Sequence, residues 1–259
     1  SPAGLPGCLS RRRRNEPCRS GPLAVGLEPA HLGAMSKPEY TRPRTRLYLI
    51  TPPRIDDADA FAALLETALS AGDVACLQLR LKDASGAIDE AATREVGAAV
   101  TEMAQAYGVA VLINDSPQLA VELGADGVHV GWDDVPVKDA RAIVGKEMIV
   151  GATAKNSRHI AMQAGEAGAD YVAFGAFYLT STKDGTVQAT PDLLEVWQES
   201  MEIPCVAIGG ITVDNAAPLV TTGADFIAVS SGVWDHPDGA PAAIAAFNRI
   251  LDELDQGRS

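Results

Sequence analysis

The chain has 259 residues, of which 47% are hydrophobic and 21% are charged, and its formal net charge is −13. This length suits a single α/β barrel, and no apolar run reaches the roughly 18–20 residues that a membrane-spanning helix requires. Because nucleic-acid binding needs a basic surface, the acidic total argues against that class of partner. We therefore expect a cytoplasmic globular protein that binds neither a membrane nor a nucleic acid.

The first 34 residues differ in composition from the rest of the chain. They are rich in Gly, Pro and Arg, show no helical or strand periodicity, and place five arginines against only Glu16 and Glu28. An arginine-rich transit peptide is one interpretation, although the glutamates and prolines weaken it. We expect residues 1–34 to be a disordered leader or an upstream extension, and residues 35–259 to form one folded domain.

The four cysteines show neither a metal-binding nor a disulfide pattern. Cys8 and Cys18 lie near the start of the chain, whereas Cys76 and Cys205 lie inside apolar runs. Zinc sites need His and Cys ligands at short, regular spacings, and the sequence contains no such set. The simplest interpretation is that the two inner cysteines are buried thiols in a reducing cytoplasm.

Eight short apolar runs follow residue 46 and alternate with segments of helix-forming residues. The runs are apolar almost throughout, which is typical of parallel strands that are covered on both faces. In chain order they are LYLIT (47–51), VACLQLR (74–80), VAVLIN (109–114), GVHV (127–130), MIVGA (148–152), YVAFG (171–175), PCVAIGG (204–210) and FIAVSS (226–231). The pattern therefore predicts eight parallel strands, each followed by a helix.

Glycines mark the ends of several predicted helices. Gly72, Gly108, Gly124, Gly168 and Gly223 each lie shortly before an apolar run, where a helix commonly ends. The sequences LGADGVHV, AGADYVAFG and TGADFIAVSS repeat one pattern, in which a Gly-Ala-Asp turn joins a helix to a buried strand. The eight predicted strand–helix units favour a (β/α)8 TIM barrel, and a doubly wound sheet is the alternative.

The carboxyl ends of the eight runs are far more polar than the runs themselves. In (β/α)8 barrels the active site lies at this end and is built from the loops that follow the strands. The strand-end positions are Thr51, Gln78, Arg80, Lys82, Asn114, Asp115, His129, Asp133, Asp134, Thr153, Thr180, Thr182, Lys183, Gly209, Gly210, Ser230 and Ser231, and all but the two glycines have polar side chains. A purely structural barrel would not need this polarity, so we expect a binding site there.

Two groups of these residues suit the binding of anions. IGGI (208–211) after strand 7 and SSG (230–232) after strand 8 occupy the place where barrels often hold a phosphate on backbone N–H groups. Arg80 and Lys82 are two residues apart on strand 2, so both can face the barrel mouth. We expect one phosphate at the first group and a more highly charged phosphate at the second.

Asp115 and Asp134 lie beside these cations, which suggests that the two carboxylates hold a metal ion. Mg²⁺ takes one or two carboxylates together with phosphate oxygens and water, and it would stabilise the charge of a departing diphosphate. His129 is either a ligand or substrate contact or, as the more ordinary interpretation, a hydrogen-bonded strand residue. The residues alone therefore indicate a phosphate-handling barrel enzyme with one Mg²⁺, without identifying its substrate.

Seven strand-end motifs together resemble those of the thiamine phosphate synthase family, which is related to thiazole tautomerase. In this chain they are YLIT (48–51), QLRLK (78–82), IND (113–115), GVHVGWDD (127–134), TSTK (180–183), IGGI (208–211) and AVSS (228–231). The resemblance extends over residues 47–250 and does not include residues 1–34. It implies a transferase on a TIM barrel.

The resemblance also implies a reaction between two phosphorylated small molecules. The compound 4-amino-2-methyl-5-(diphosphooxymethyl)pyrimidine would be joined to a thiazole phosphate, giving thiamine phosphate and pyrophosphate. The mechanism would be dissociative and Mg²⁺-assisted: diphosphate departs, a pyrimidine carbocation forms, and the thiazole nitrogen captures it. Such a mechanism needs positioning and charge stabilisation but no strong general base.

The same resemblance implies roles for individual residues. The catalytic cations would be Arg80, Lys82 and Lys183. The metal ligands would be Asp115 and Asp134. The pyrimidine diphosphate would be bound by Gln78, Arg80, Lys82, Asn114, Thr153 and Lys183, and the thiazole phosphate by Thr180, Ser181, Thr182, Gly210, Ser230 and Ser231.

Several positions depart from the family pattern. Ser116 replaces the Arg that usually follows IND, and Trp132 replaces a common Gln. Ala176 and Leu179 replace two prolines of the loop after strand 6, and Thr153 replaces a serine while keeping the hydroxyl. The chain would thus lack one cation near the diphosphate and some rigidity in that loop, as a divergent paralogue would.

Two alternatives to a synthase stay open. Thiazole tautomerase, an isomerase, usually lacks the second metal-binding Asp and has a His after strand 5, whereas this chain has Asp134 and places Lys155 where that His is expected. A non-catalytic protein that binds phosphorylated ligands is the other alternative, although the retained carboxylates and lysines argue against it. The oligomeric state is also open, with a homo-oligomer as one alternative.

Overall fold

The computed structural model of this chain describes residues 42–132, 134–179 and 188–257. Its strands are β1 (Arg46–Ile50), β2 (Val74–Leu79), β3 (Ala110–Asn114), β4 (Gly127–Val130), β5 (Ile149–Lys155), β6 (Tyr171–Gly175), β7 (Cys205–Ile208) and β8 (Phe226–Val229). Each strand pairs in parallel with the next, and β8 pairs with β1, so the sheet closes into a barrel. This closure confirms the TIM barrel and excludes the doubly wound sheet.

Helices alternate with the strands along the chain. Those in the described residues are α1 (Ala58–Leu69), α2 (Glu90–Ala106), α3 (Pro117–Glu122), α4 (Val137–Val144), α5 (Arg158–Glu166), α6 (Asp192–Ser200), α7 (Ala217–Thr222), α8 (Ser231–Trp234) and α9 (Ala240–Gln256). Helix α8 is a short addition directly after β8, where barrels frequently carry a phosphate site. The barrel belongs to the unit of the chain that begins at Arg44.

Side-chain caps fix where four of the helices begin. Asp57, Asp89, Ser116 and Ser157 each accept a hydrogen bond from the backbone N–H three residues later, which satisfies one of the unpaired donors of the first helical turn. Ser116 accepts from the Leu119 N–H over 3.3 Å. The residue that replaces a family Arg therefore has a structural use in this chain, as the cap of α3.

The strands separate an outer apolar layer from a partly polar interior. Outward-facing strand residues such as Leu77 and Val128 form one buried cluster with helix residues such as Leu65. The alternate residues of the same strands, such as Gln78 and His129, are also buried and face the barrel interior. Because side chains alternate along a strand, the same eight strands build the apolar core and carry polar groups inside the barrel.

The repeated Gly-Ala-Asp turns all make the same hydrogen bond. In each turn the Asp carboxylate accepts from a backbone N–H at the start of the preceding strand, and a side chain from an earlier helix donates to the same carboxylate. Asp126 binds Val111 N (2.8 Å) and Gln105, Asp170 binds Val150 N (2.9 Å) and Arg141, and Asp225 binds Cys205 N (2.8 Å) and Gln198. These aspartates thus tie neighbouring strands together at the end opposite the predicted site.

The remaining predictions on the whole chain concern its first residues and its membrane behaviour. Residues 1–34, with Cys8 and Cys18, lie outside the described residues, so the domain boundary stays a prediction. Cys76 and Cys205 are buried within β2 and β7. None of the helices in the described ranges combines the length and apolarity needed to cross a bilayer.

Candidate active site

The carboxyl ends of β2 and β3 bring a lysine against an aspartate. Lys82 Nζ donates to Asp115 Oδ2 over 2.8 Å, and both side chains are largely shielded from solvent. Asn114, the last residue of β3, donates from Nδ2 to the same oxygen over 2.5 Å. Asp115 has a φ of 61°, a left-handed conformation that aspartate tolerates better than most residues. The chain turns sharply there, and two donors hold the carboxylate.

Asp134 approaches Asp115 from the loop after β4. The two carboxyl groups lie close enough for the charge of Asp115 to act on Asp134. Gly131 leaves the space for this approach, because a Cβ added there would lie 2.1 Å from Asp134 Oδ2 and 4.0 Å from Asp115 Oδ1. A larger residue at Gly131 would therefore displace the Asp134 carboxylate.

The two carboxyl groups differ in pKa because their surroundings differ. Burial acts to raise the pKa of Asp115, but the hydrogen bond and the charge of Lys82 outweigh it and hold that pKa below its ordinary value. The side chain of Asp134 is exposed but partly desolvated, and its pKa is raised first by that desolvation and then by the negative charge of Asp115. Asp115 is therefore ionised at neutral pH, and a cation bound by both carboxylates would relieve their repulsion.

The aspartate pair fits the ligand requirements of Mg²⁺. This ion binds through one or two protein carboxylates and takes its other ligands from water and from substrate phosphates. Within the described ranges, no group of three or more His, Cys, Asp and Glu side chains is arranged to hold a metal. A metal ion at Asp115 and Asp134 would therefore depend on substrate oxygens and water for the rest of its coordination.

Arg80 lies at the end of β2 beside this group. Its backbone N–H donates to Thr51 Oγ1 over 2.9 Å, which joins the ends of β1 and β2. Its side chain is half-buried, and among the described residues no side chain accepts a hydrogen bond from the guanidinium. Its charge acts on His129, whose pKa it lowers. Arg80 is therefore placed to meet an anion at the barrel mouth.

Gln78 and Asn114, both predicted to bind substrate, contact one another in the barrel interior. Gln78 Nε2 donates to Asn114 Oδ1 over 2.5 Å. On the other side of the Gln78 amide, the Tyr48 hydroxyl donates to Oε1 over 2.9 Å. Both side chains are buried, with exposures of 3% for Gln78 and 5% for Asn114. The two amides are therefore fixed by neighbours on three adjacent strands.

Thr153, the predicted hydroxyl on β5, is joined to His129. His129 Nε2 lies 2.9 Å from Thr153 Oγ1, and Nδ1 lies 2.8 Å from the hydroxyl of Tyr171. Burial, followed by the positive charge of Arg80, lowers the pKa of His129 to about 4 against the opposing effect of Asp115. The imidazole is neutral at pH 7, and it is a hydrogen-bonded strand residue, the more ordinary of the two interpretations.

The loop after β7 lies close to the loops after β6 and β8. Gly210 has a φ of 64°, and a Cβ added there would lie 2.5 Å from the Leu179 carbonyl oxygen. A Cβ added at Gly232 would lie 2.3 Å from the carbonyl oxygen of Ile211. Side chains are thus excluded at both glycines, because neighbouring backbone packs directly against them.

Ser230 and Ser231 stand beside these glycines at the end of β8. The Ser230 hydroxyl donates to the Thr51 carbonyl oxygen over 3.1 Å, and Ser231 is the first residue of α8. Asn215 also shapes the region, because its side chain donates to the Gly210 carbonyl over 3.0 Å and accepts from the Thr212 N–H over 2.8 Å. Asn215 was not among the predicted site residues.

Five predicted positions lie outside the described residues. They are Asp133, Thr180, Ser181, Thr182 and Lys183. The roles of the last four in binding the two substrates therefore stay predictions. Two departures from the family pattern are exposed. Leu179, the residue before this segment, is 89% exposed, and Trp132 is 48% exposed.

The sequence-based prediction missed several residues that shape the site. Tyr48 and Tyr171 lie within the predicted strands YLIT and YVAFG, but neither was given a role. Gly131 and Gly151 were not singled out either, although a Cβ at Gly151 would lie 2.0 Å from the Tyr171 ring. Strand periodicity could have indicated the tyrosines, since Tyr48 and Gln78 both lie on the face that alternates with the apolar one.

Comparison with known proteins connects these features to one family. A sequence model of the family described as thiamine monophosphate synthase matches residues 47–233. Thiamine-phosphate synthase of Hyphomonas neptunium is 68% identical over 220 residues, which cover 85% of this chain and 100% of that protein. The corresponding protein of Rhodospirillum centenum is 58% identical over 206 residues, with coverages of 80% and 97%.

A solved structure of a protein with a related name is also similar to this chain. Thiamine phosphate pyrophosphorylase from Pyrococcus furiosus superposes with a TM-score of 0.70 at 31% identity, covering 82% of this chain and 98% of that one. A 3-hexulose-6-phosphate synthase from Salmonella typhimurium superposes with a TM-score of 0.61 at 16% identity. At that identity the second match reflects the barrel fold alone.

Proposed function

Because the chain belongs to the thiamine monophosphate synthase family, we propose that it joins 4-amino-2-methyl-5-(diphosphooxymethyl)pyrimidine to a thiazole phosphate. The products are thiamine phosphate and pyrophosphate. The observation that carries this proposal is the group at the barrel mouth, where Lys82 pairs with Asp115 over 2.8 Å and Asp134 and Arg80 lie beside them. Cations and carboxylates at adjacent strand ends suit a diphosphate that binds together with a divalent cation.

Mg²⁺ is part of the proposal. Asp115 and Asp134 would hold it, and diphosphate oxygens and water would complete its ligands. When bound, the ion supplies positive charge that stabilises the diphosphate as it leaves. Asp115 is suited to this role because its hydrogen bonds to Lys82 and Asn114 keep the carboxylate ionised and oriented.

The cations of the chain would stabilise the leaving group directly. Arg80, Lys82 and Lys183 would bind oxygens of the diphosphate, whose negative charge increases as the bond to the pyrimidine methylene carbon breaks. The thiazole nitrogen then attacks that carbon. A neutral His129 with a pKa of about 4 is in keeping with a reaction that requires no strong general base.

Polar residues of the mouth would orient the two substrates. Gln78, Asn114 and Thr153, on β2, β3 and β5, would contact the pyrimidine diphosphate, and their side chains belong to one hydrogen-bonded group. The loops after β7 and β8 would hold the thiazole phosphate, with further contacts from the segment after β6. Their proposed residues are Gly210, Ser230 and Ser231, together with Thr180, Ser181 and Thr182.

The alternatives account less well for the site. An isomerase of the tautomerase type would not need Asp134 beside Asp115, and Lys155 occupies the position where its His is expected. A non-catalytic binder would not need a carboxylate pair. The proposal includes a cytoplasmic location, in keeping with the buried thiols of Cys76 and Cys205.

The proposal is tested by incubating the purified protein with Mg²⁺ and both substrates, and with each substrate alone. We expect thiamine phosphate, detected by chromatography after oxidation to its fluorescent derivative, only when both substrates are present. Isomerisation of a thiazole substrate without condensation would support the tautomerase. Binding of both phosphorylated compounds by folded protein without any product would support the non-catalytic binder.

A further inference from the structure

A hydrogen-bond chain of six bonds joins seven side chains across the barrel interior, from Thr153 to Asp115. Its middle members, Tyr48, Tyr171 and His129, have no role in the reaction proposed above. All three are deeply buried, with exposures of 3%, 1% and 6%. Groups buried this deeply are costly unless each is hydrogen-bonded, so the direction of every bond in the chain can be worked out from its chemistry.

The direction is set at the Asp115 end. Asp115 is a carboxylate paired with Lys82, so it only accepts hydrogen bonds, and Asn114 must present its NH₂ group to it. The Asn114 carbonyl then faces Gln78, which must donate from its own NH₂ group. The Gln78 carbonyl is left to accept the hydroxyl proton of Tyr48. The orientation of both amides follows from the charge at Asp115.

The direction continues because a hydroxyl has only one proton to donate. The Tyr48 proton is used on Gln78, so Tyr171 donates to Tyr48 over 2.9 Å. The Tyr171 proton is then also used, so His129 donates from Nδ1 to Tyr171. The unprotonated Nε2 of His129 accepts from the Thr153 hydroxyl. All six hydrogen bonds therefore point from Thr153 toward Asp115.

We propose that Tyr48, Tyr171 and His129 are positioning residues of the active site, which hold the amides of Gln78 and Asn114 in one orientation through this hydrogen-bond chain. The inference rests on the proposed function, in which Gln78 and Asn114 bind the pyrimidine diphosphate. The three residues act through these amides. Donors fixed in advance need no reorganisation when substrate binds, and aligned hydrogen bonds strengthen one another.

Orientation matters here because an amide has nearly the same shape when turned over. Only its hydrogen-bond partners decide which side carries the donors. A reversed Gln78 would place its carbonyl against the Asn114 carbonyl and its NH₂ group against the Tyr48 proton, so two favourable contacts would become repulsive. Tyr48 therefore excludes the reversed amide, and Tyr171 and His129 keep the Tyr48 proton directed at Gln78.

The barrel is built to admit this chain. Gly151 on β5 leaves the space for the phenol of Tyr171, because an added Cβ would lie 2.0 Å from its ring carbon and 2.2 Å from its hydroxyl oxygen. The Tyr171 ring packs against the Tyr48 ring edge-on at 6.0 Å and against the His129 ring in a stacked arrangement at 5.6 Å. These contacts hold the hydroxyls and the imidazole at hydrogen-bonding distance.

The test begins with the imidazole protons of His129, which require no substrate to observe. In ¹⁵N-labelled wild-type protein at pH 7, the imidazole resonances, assigned by their loss in His129→Gln, should show a proton on Nδ1 and none on Nε2. Tyr48→Phe removes the acceptor of the Tyr171 proton, so Tyr171 can donate to His129 and the Nε2–H form should appear. Among the hydrogen bonds and ring contacts of the described residues, those of Tyr48 are with Gln78 and Tyr171 and none is with His129, so this change would demonstrate transmission along the chain.

Kinetics then test the consequence for the active site. In both Tyr48→Phe and Tyr171→Phe we expect kcat to fall by about 10- to 100-fold, the size of effect that a small misplacement causes. The KM for the pyrimidine diphosphate should rise, whereas the KM for the thiazole phosphate should stay within about twofold. Tyr107→Phe is the matched control, because Tyr107 hydrogen-bonds Ser70 at an exposed position and should leave kcat, both KM values and the His129 tautomer unchanged.

Two results would overturn the proposal. The first is a wild-type His129 with its proton on Nε2, which contradicts the direction of the chain and can be seen even if the variants do not fold. The second is wild-type kinetics in folded Tyr48→Phe and Tyr171→Phe. An inactive wild-type protein with the Nδ1–H form would instead contradict the proposed reaction and leave the orienting chain supported.

Discussion

Asp115 is the residue on which the most interactions of the site converge. Lys82 and Asn114 both donate to its Oδ2 atom, its charge acts on Asp134, and its backbone has a left-handed φ of 61°. Asparagine also tolerates this backbone conformation and has almost the same shape. Asp115→Asn is therefore a substitution that removes charge while disturbing the fold little.

We expect Asp115→Asn to lower kcat by at least about 100-fold, since even outer contacts of metal sites contribute about 10- to 100-fold. The Mg²⁺ concentration for half-maximal activity should also rise, because one ligand has lost its charge. Activity measured across a Mg²⁺ titration, with thermal unfolding as a check on the fold, tests this. Asp139→Asn, at an exposed position of α4, is the control. Full activity of Asp115→Asn in EDTA would rule out the metal role.

Gly131 offers a second test of the metal site without removing a ligand. In Gly131→Ala the new Cβ would lie 2.1 Å from Asp134 Oδ2, so the carboxylate has to move away from Asp115. We expect a higher Mg²⁺ requirement at nearly unchanged thermal stability, because the displaced group is the end of a flexible, exposed side chain. Gly257→Ala should behave as wild type, since its nearest atom would be 3.6 Å away. An unchanged Mg²⁺ requirement in Gly131→Ala would count against Asp134 as a ligand.

His129 makes stability depend on pH in a defined direction. Its pKa is about 4 in the folded protein, against about 6.5 in an unfolded chain. Between these values only the unfolded state takes up the proton, so the stabilising contribution is complete above pH 6.5 and is lost as pH falls toward 4. The free energy of unfolding should decrease by up to about 1.4 kcal/mol per pH unit in this window.

Denaturant unfolding of wild-type protein and His129→Gln at pH 7.5, 6 and 5 measures this contribution. The variant should be less stable at pH 7.5, because Tyr171 and Thr153 lose their partner, but its stability should fall less steeply with acidification. If the free energies of unfolding of the two proteins fell equally with pH, His129 would not have the lowered pKa that its burial predicts.

At the scale of elements, the Gly-Ala-Asp turns explain how the strands are joined at the end of the barrel away from the site. Asp126 Oδ2 accepts from the Val111 N–H over 2.8 Å and from Gln105 over 3.0 Å. Asp126→Ala leaves a strand N–H without its acceptor, and we expect it to lower the free energy of unfolding by about 1–3 kcal/mol. Asp139→Ala is the control, because no donor among the described residues hydrogen-bonds the exposed Asp139 carboxylate. Equal denaturation midpoints for the two variants would contradict this account.

The elements themselves were largely predictable from the sequence, because apolar runs bounded by glycine define buried strands. The runs at 127–130 and 171–175 correspond to β4 and β6 as observed. Strand β5 continues to Lys155, beyond the predicted end at Ala152, since its later residues are less apolar. Strand β7 ends at Ile208, earlier than predicted, because Gly209 and Gly210 adopt φ values of 106° and 64° that a strand does not allow.

The site was predictable only in part. The positions of Lys82, Asp115 and Asp134 followed from their place after strands, since the carboxyl ends of a barrel converge. The partners of Gln78 and His129 did not follow. Tyr48 reaches Gln78 from β1, and Tyr171 on β6 reaches across the interior to Tyr48 on β1 and to His129 on β4. Such contacts between strands that are not neighbours in the sequence depend on barrel closure and on the space at Gly151.

At the scale of the whole molecule, closure of the barrel brings the two proposed substrate sites to one mouth. The hydrogen bond from Ser230 to the Thr51 carbonyl and that from the Arg80 N–H to Thr51 Oγ1 join β8, β1 and β2 at their carboxyl ends. The proposed phosphate loops are thereby held close to the cations of β2. A nitrogen of one substrate can then attack the carbon of the other at the same mouth.

The stoichiometry of the reaction, followed by ³¹P NMR, tests the proposed condensation most directly. With Mg²⁺ and both substrates, the wild-type protein should form one pyrophosphate and one thiamine phosphate for each pyrimidine diphosphate consumed, and neither product should form when the thiazole phosphate or the protein is omitted. Consumption of the pyrimidine diphosphate without thiamine phosphate, or no consumption by folded protein, would contradict the proposed condensation.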